Sequence, residues 1–254
     1  MDTTLVAGAR KKVLIGVPRW AYAQPEAEAW RIEVAAHLGR RMADPDFPYQ
    51  FDFATLPNML VHFAREQLCQ RALSGGYDFV CMVDDDMNGP VDLWERLLAH
   101  NVDIVAPLAF TRLGQHLPVV YGTVHKHIEG MGFKPTKTHF VLNYPRNVLF
   151  ECAAVGFGAV CIKVDVLRKI EAPWFFTFKD DGTRGTGEDV WFCRKAVEKG
   201  GARVFCDSSV KLGHLGAPKW IGEEDFLRAN PQVEELYSVS GEWSMEKSRE
   251  GLLS

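Results

Sequence analysis

Three consecutive aspartates follow a short apolar run in this sequence. The run extends from Phe79 to Val83, and Asp84, Asp85 and Asp86 come directly after it. Adjacent carboxylates repel and raise one another's pKa, so three together call for a positive charge nearby. In an extended segment the first and third aspartates share a side, and paired carboxylates on one side suit Mg²⁺ or Mn²⁺. The alternative is a solvated acidic turn at a strand end.

Two further groups of side chains suit the same chemistry. Glu188 and Asp189 open a predicted helix, directly after the glycine-rich segment DDGTRGTG. The helix dipole stabilises carboxylates in a first helical turn. A purely structural role is therefore the alternative explanation for this pair. His214 lies in the segment KLGHLG after a predicted late strand, where an imidazole can bind a metal or serve as a surface or capping residue. Together with the aspartates, these residues favour a metal-dependent site over a solvated turn.

The bulk composition is that of an ordinary globular protein. The chain has 254 residues, of which 47% are hydrophobic and 24% charged, and its net charge is −4. This charge gives no global electrostatic reason to bind nucleic acid or an anionic membrane. The distribution is uneven, however, because residues 111–150 contain a single acid, Glu129, and five basic residues: Arg112, Lys126, Lys134, Lys137 and Arg146. This basic stretch is either a solvated surface insertion or a surface for a polyanion.

Cysteine usage and the N-terminal residues indicate a compartment. Six cysteines without a CxxC pair predict reduced, buried thiols and neither a disulfide framework nor a zinc site. The N-terminal residues contain no apolar segment long enough for a signal peptide. The longest uncharged stretch, Cys152 to Ile162, is far shorter than the roughly 18 residues of a membrane span. We therefore expect a cytoplasmic protein with no membrane span.

Strand and helix patterns alternate along the chain. Strands are predicted over 13–17, 48–56, 79–83, 102–108, 155–164 and 202–207. Helices are predicted over about 26–41, 57–73, 93–98, 165–170 and 188–199. The first helix is expected to bury Ile32 and Leu38, and Asp165 is expected to cap the fourth. The run over 79–83 is continuously apolar, as in a parallel strand that is covered on both faces. This alternating order favours an α/β fold of three layers with a mostly parallel sheet.

The sequence shows neither an internal repeat nor a convincing linker, so we predict one domain. Residues 1–10 are expected to form a flexible leader, 11–220 the catalytic domain and 221–254 a helical C-terminal tail. The basic stretch 111–150 is rich in glycine, proline and histidine. We expect it to form an irregular insertion within the domain.

Taken in order, these motifs resemble a known family. An apolar strand that ends in VDDDM is followed by VGFGAVCIKVDVLRKI, PWF, GEDVWFCRKAVEKGG and KLGHLG. The ordered set resembles the GT-A-fold glycosyltransferases, and most of all the family 2-like group of small bacterial and phage enzymes. The resemblance covers roughly Val13 to Gly216. It implies an α/β, GT-A (Rossmann-like) three-layer α/β/α sandwich with a mostly parallel central sheet.

The resemblance also implies roles for individual residues. Asp84 and Asp86 match the DxD motif, which in the family holds Mn²⁺ or Mg²⁺ on the diphosphate of a nucleotide-sugar. His214 matches a late histidine that completes the metal site. Glu188 and Asp189 match an acidic pair near the acceptor, and Asp189 is the expected general base.

The same resemblance identifies a nucleotide side of the site. The residues expected beside the nucleotide are Pro18, Arg19, Arg65, Asp84 and Asp85. Two positions depart from the family pattern. The segment TLPNM stands where many members have an aspartate-rich turn that reads the base, and Glu66 follows Arg65 where the family often has asparagine. The sequence therefore does not identify the base.

The implied function is metal-dependent transfer of a sugar from a nucleotide-diphosphate-sugar to an acceptor hydroxyl. The acceptor classes that fit are a saccharide, a lipid-linked sugar and a modified base in DNA, and both inverting and retaining enzymes use this scaffold. One alternative is a sugar-phosphate nucleotidyltransferase, which would normally carry a glycine-rich phosphate loop that GVPRWAYAQPE lacks. A second alternative is a catalytically silent nucleotide-sugar-binding protein.

Overall fold

Alternating strands and helices build the fold in the computed structural model. The structure describes residues 9–19, 24–126, 134–176, 187–216 and 219–233. The strands are β1 (Lys11–Arg19), β2 (Tyr49–Pro57), β3 (Phe79–Val83), β4 (Met87–Asn88), β5 (Ile104–Leu108), β6 (Val120–Lys126), β7 (Lys134–Phe140), β8 (Leu149–Cys152), β9 (Ala154–Val155), β10 (Ala159–Lys163), β11 (Val204–Lys211), β12 (Gly213–Gly216) and β13 (Lys219–Ile221). The helices are α1 (Pro25–Met42), α2 (Val61–Ser74), α3 (Leu93–Ala99), α4 (Val164–Lys169), α5 (Glu188–Gly200) and α6 (Glu223–Ala229). Most of the predicted leader and of the C-terminal tail lies outside the described residues.

Seven of the described strands form the central sheet, in the order β2-β1-β3-β10-β5-β11-β8. β1 pairs in parallel with both β2 and β3, and β5 pairs in parallel with β11. β10 lies between β3 and β5 and is antiparallel to both, while β8 is antiparallel to β11. Since only β10 and β8 of these strands run against the rest, the sheet is mostly parallel.

Helices cover both faces of this sheet. α1 and α3 pack on one face, where Trp30, Leu38 and Trp94 belong to one apolar cluster. α2, α4 and α5 pack on the other, where Leu68 and Phe192 belong to a second cluster. Every residue of β3 and β5 is buried, because a strand covered on both faces has no solvent side. The predicted fold class, a GT-A (Rossmann-like) three-layer α/β/α sandwich, is confirmed.

The segment around the fourth helix differs from its prediction. Residues 155–164 form the end of β9 and then β10, not one strand. β10 runs directly into α4, so Lys163 occupies the N-cap position and Asp165 lies inside the first turn. The Asp165 carboxylate accepts a hydrogen bond from Arg168 instead of capping the helix. No loop separates the strand from the helix, which leaves no position for a separate capping residue.

The basic stretch 111–150 contains regular structure that the sequence analysis did not predict. β6 pairs antiparallel with β7 and with β9, which gives a small sheet in the order β7-β6-β9. The residues of β6 are largely β-branched or aromatic, and such residues favour strands. The glycine, proline and histidine residues of the flanking segments made this strand pattern difficult to recognise in the sequence.

Two predictions from composition can be compared with the structure. All six cysteines are free and buried, as predicted. Among the described residues, no helix has the length and apolar character needed to cross a membrane.

Close packing of α2 on β1 requires a glycine at position 16. A Cβ atom on Gly16 would lie 2.4 Å from Cδ1 of Leu68, and Leu68 is fully buried. We therefore expect Gly16→Ala to lower the free energy of unfolding by about 1–3 kcal/mol, the usual effect of overpacking a core. Urea unfolding followed by circular dichroism measures this change.

Gly39 in α1 provides a matched control for that substitution. A Cβ atom there would meet no other atom within 4 Å. Gly39→Ala should therefore raise the free energy of unfolding by about 0.5–1 kcal/mol, because alanine is the better helix former. Equal stability of the two variants would contradict the packing explanation.

Candidate active site

The ends of β1 and β3 meet at one edge of the sheet, and a cleft opens there. Because these strands are parallel neighbours, their carboxyl ends lie side by side, which is where open α/β sheets bind ligands. The cleft has a volume of about 300 Å³. It is lined by Pro18, Arg19, Met59, Leu60, Val61, Asp84, Asp85 and Asp86. The predicted nucleotide residues other than Arg65 thus line one cavity.

Arg65 lies beneath this cleft and joins two carboxylates. Its side chain is 2% exposed. One terminal nitrogen, Nη2, donates to Asp84 Oδ1 at 2.7 Å and to the Phe157 carbonyl at 3.1 Å. The other, Nη1, donates to Glu188 Oε1. The guanidinium carbon also lies 5.4 Å from the centre of the Phe157 ring. One buried cation therefore connects the end of β3 with the start of α5.

Strand pairing brings His214 to Asp86. β12 pairs antiparallel with the short β4, so that His214 lies opposite Met87, and the Leu215 amide donates to the Asp86 carbonyl at 2.8 Å. His214 Nε2 is consequently 3.2 Å from Asp86 Oδ2. A second cleft of about 500 Å³ borders Asp86 on the side of Arg112 and Gly216.

The Asp86 carboxylate has two side-chain partners, His214 and Arg112, and His214 is fixed by a second contact. His214 Nδ1 is 2.8 Å from the Phe110 carbonyl oxygen, which requires a proton on Nδ1 and leaves Nε2 directed at the carboxylate. Arg112 Nη1 donates to Asp86 Oδ2 at 2.8 Å from a half-exposed position. The Asp86 carboxylate is thus held between an imidazole and a guanidinium.

The three charged groups at the strand end have shifted pKa values. Burial raises the pKa of Asp84 to about 6, although the Arg65 guanidinium acts against this shift. Burial also acts to raise the pKa of Asp86, but the hydrogen bond from His214 and the charges of His214 and Arg112 outweigh it and lower the pKa. Burial disfavours the charged imidazole of His214, yet its hydrogen bond with Asp86 raises the pKa overall.

The acidic pair occupies the first turn of α5. Asp189 Oδ1 accepts a hydrogen bond of 2.7 Å from the Val190 amide, while Glu188 is bound by Arg65. Burial and the neighbouring Glu188 charge raise the pKa of Asp189, and Arg65 partly offsets this. Burial, and after it the charge of Asp189, raises the pKa of the Tyr121 hydroxyl in β6.

Comparisons with known proteins bear on the fold. No protein-family model and no curated protein sequence matches this chain. Among solved structures, A197 from STIV matches with a TM-score of 0.52 and 19% identity, over 80% of this chain and 85% of that one. This likeness shows the fold alone.

Two other solved structures match less well. One is a glycosyltransferase involved in the glycosylation of the major capsid of PBCV-1, with a TM-score of 0.31 and 13% identity over 64% of this chain and 69% of that one. The other is mannose-1-phosphate geranyltransferase from Thermus thermophilus, with a TM-score of 0.40 and 12% identity over 80% of this chain and 76% of that one.

The side chains at Asp86 fit a divalent cation in part. Asp86 Oδ2 and His214 Nε2 converge, and the bond from His214 Nδ1 to a carbonyl is the contact that orients a metal-binding imidazole. Among the described residues, no group of three or more His, Cys, Asp or Glu side chains forms a complete metal site. The arrangement suits a cation that takes its other ligands from phosphate oxygens and water, as Mg²⁺ and Mn²⁺ do.

The structure brings the predicted residues together in two groups. Asp86 and His214 form one group, and Asp84 and Glu188 form the other, with Asp189 beside it. Arg65 is predicted to lie beside the nucleotide, and in the structure its buried guanidinium is bound to both carboxylates of the second group, of which Asp84 lines the cleft.

Three contributors to this site did not emerge from the sequence analysis. Arg112 pairs with Asp86, the Phe110 carbonyl holds His214, and the charge of Asp189 helps to raise the pKa of Tyr121. In the sequence Arg112 stands out only as part of the basic stretch. A contact made by a backbone carbonyl does not depend on the residue type and cannot be read from the sequence. The glycine-rich segment before Glu188 lies outside the described residues except for Gly187.

Proposed function

We propose that the protein is a glycosyltransferase that moves a sugar from a nucleotide-diphosphate-sugar to an acceptor hydroxyl, with Mn²⁺ or Mg²⁺ at Asp86 and His214. One observation carries the proposal. Arg65 joins Asp84, which follows β3 and lines a cleft of about 300 Å³, to Glu188, which opens α5. A donor-binding edge and a candidate base are therefore adjacent.

The donor side of the proposal rests on the cleft between β1 and β3. Pro18, Arg19, Asp84 and Asp85 line this cleft and are the proposed contacts of the nucleotide. Arg19 Nη2 is bound to Glu28 at 2.6 Å, which fixes this basic side chain at the rim. A bound divalent cation supplies charge neutralisation for a departing diphosphate, which is worth several kcal/mol.

The acceptor side rests on the start of α5. Asp189 is the proposed general base, because its raised pKa makes the carboxylate a better proton acceptor at neutral pH than an ordinary aspartate. Glu188 is proposed to orient this end of the helix through Arg65. The acceptor hydroxyl would belong to a saccharide, a lipid-linked sugar or a modified base in DNA.

The charge on the acceptor side disfavours nucleotidyl transfer. A sugar-phosphate nucleotidyltransferase must bring a sugar phosphate to the donor, and this anion is repelled by carboxylates. In the proposed site Glu188 and Asp189 occupy that side, and Arg65 already pairs with Glu188 and Asp84. A neutral hydroxyl meets no such repulsion, so transfer to a hydroxyl is the better fit.

A binding panel with product analysis tests the proposal. The panel contains UDP, GDP, ADP, CDP and dTDP and their glucose derivatives, each with Mn²⁺, with Mg²⁺ and with EDTA. A ligand at 100 times its Kd should add about 2.7 kcal/mol to stability, which raises the thermal midpoint by several degrees. We expect one nucleotide to stabilise the protein in a metal-dependent manner and its sugar derivative to release the nucleoside diphosphate.

The products separate the three interpretations. Release of nucleoside diphosphate supports glycosyl transfer, whereas release of pyrophosphate from a nucleoside triphosphate and glucose 1-phosphate would identify a nucleotidyltransferase. Stabilisation without turnover, with oligosaccharides, lipid-linked sugars and hydroxymethylated DNA as acceptors, would indicate a silent binding protein. No stabilisation by any nucleotide would overturn the proposal.

A further inference from the structure

A buried arginine joins the two halves of the proposed active site. Arg65 is 2% exposed and lies on the face of α2 that also buries Ala64, Leu68 and Ala72. We propose that Arg65 is a positioning residue that fixes the donor-side Asp84 relative to the acceptor-side Glu188 and so sets the approach of the base to the donor. This inference rests on the proposed function and gives Arg65 a different role from contact with the nucleotide.

The chemistry of the guanidinium supports positioning. Its planar fork carries donors in fixed directions, so two carboxylates bound at Nη1 and Nη2 are held at a fixed separation. Asp84 occupies one of these donors and Glu188 the other. The Phe157 carbonyl and ring hold the guanidinium itself in place. A lysine at this position has a single nitrogen and cannot reproduce both directions.

Stability alone is a poor explanation for this cluster. Burying an arginine and two carboxylates carries a large desolvation cost, and well-packed apolar residues often serve a core as well or better. Among the described residues, Arg65 Nε is buried without a hydrogen-bond partner, so the cluster is not fully satisfied. The bonds that are made all go to the end of β3, to α5 or to the loop at Phe157, and Asp84 at the end of β3 also lines the cleft.

The proposed role has a direct kinetic consequence. Asp84 lies at the end of β3, and Asp189 follows Glu188 at the start of α5. A change in the separation of these two segments moves the base relative to the donor. Misplacement by about 1 Å can lower a rate by about 10²-fold, because catalysis depends on near-attack geometry.

Arg65→Lys is the principal test, and Arg71→Lys is its control. Arg71 lies further along α2 and is exposed. The measurements are the thermal midpoint, the Michaelis constant for the donor selected by the panel, and the rate of nucleoside diphosphate release. We expect Arg65→Lys to fold, to keep its Michaelis constant and to lose about 10²-fold in rate, whereas Arg71→Lys matches the wild type. An unchanged rate in Arg65→Lys would overturn the inference.

A double variant separates positioning from a general structural role. In a Glu188→Gln background the bridge is already weakened, so Arg65→Lys should lower the rate by much less than in the wild type. A purely structural role predicts that the two losses multiply, and multiplication would overturn the inference. Urea unfolding of the wild type, the two single variants and the double variant measures the coupling between the two side chains without any turnover.

These outcomes also distinguish this inference from the proposed function. If the wild type releases no nucleoside diphosphate from any donor, the proposed function is wrong and the catalytic role of Arg65 is wrong with it. If the wild type is active and Arg65→Lys is equally active, only the inference about Arg65 is wrong.

Discussion

Substitution of Asp189 by asparagine is expected to slow sugar transfer by about 10²–10⁴-fold, the usual contribution of a positioned general base. The asparagine side chain has the same shape, and its amide oxygen can still accept the hydrogen bond from the Val190 amide that Asp189 Oδ1 accepts at 2.7 Å. The fold and donor binding should therefore persist. Release of nucleoside diphosphate at saturating donor measures the rate, and thermal shift measures donor binding.

The pH dependence of the wild type provides a second readout of the same group. Burial and the Glu188 charge raise the pKa of Asp189 above that of an ordinary aspartate. A base must be deprotonated to accept a proton, so the rate should fall as the pH drops through this raised pKa. The acidic limb of the rate profile should therefore lie above about pH 3.9, the ordinary value for aspartate.

Glu198→Gln is the control for the Asp189 variant. Glu198 lies on the same helix, α5, and is exposed there, so this substitution removes one carboxylate from α5 far from its first turn. We expect wild-type rates and a wild-type pH profile. Full activity of Asp189→Asn would show that another group accepts the proton, and Glu188 would become the next candidate.

Much of the fold could be predicted from hydrophobic patterns. The apolar run 79–83 coincides with β3, because the polar residues on either side of these five buried residues mark where the strand begins and ends. The first helix was also located, but Ile32 was expected on its buried face and is 63% exposed. The residues that α1 buries include Trp30, Val34 and Leu38, which form a continuous stripe that position 32 misses.

The candidate site was less predictable, because its geometry depends on pairings that leave no local pattern. Asp86 and His214 are 128 positions apart. They meet because β12 pairs with β4, a strand of two residues that is too short to show any periodicity. Family resemblance identified both residues, but only the structure shows their contact.

The role of Arg65 illustrates a different limit. A charged residue on the apolar face of α2, next to Ala64 and Leu68, was a signal that the side chain has buried partners. The sequence could not identify these partners, since they lie in segments 19 and 123 positions away. Resemblance assigned the arginine to the nucleotide, whereas the structure shows it bound to two carboxylates.

Asp86→Ala and His214→Ala are expected to abolish the stabilisation that Mn²⁺ and a nucleoside diphosphate give to the wild type. Asp86 Oδ2 and His214 Nε2 lie 3.2 Å apart and are the two proposed protein ligands of the cation, so removal of either leaves one. At 100 times the wild-type Kd, the loss corresponds to about 2.7 kcal/mol of ligand-dependent stability. Thermal shift with and without Mn²⁺ measures it, and EDTA should reproduce the effect in the wild type.

Asp46→Ala is the control, because Asp46 is an exposed aspartate in a loop far along the chain from the site. It should keep the full Mn²⁺-dependent shift. If His214→Ala keeps the shift while Asp86→Ala loses it, the imidazole does not bind the cation and its bond to Asp86 only orients the carboxylate. If both variants keep the shift, the cation does not bind at Asp86 at all. The carboxylate would then serve to hold Arg112, which contacts it at 2.8 Å, and charge neutralisation in the site would have to come from arginine.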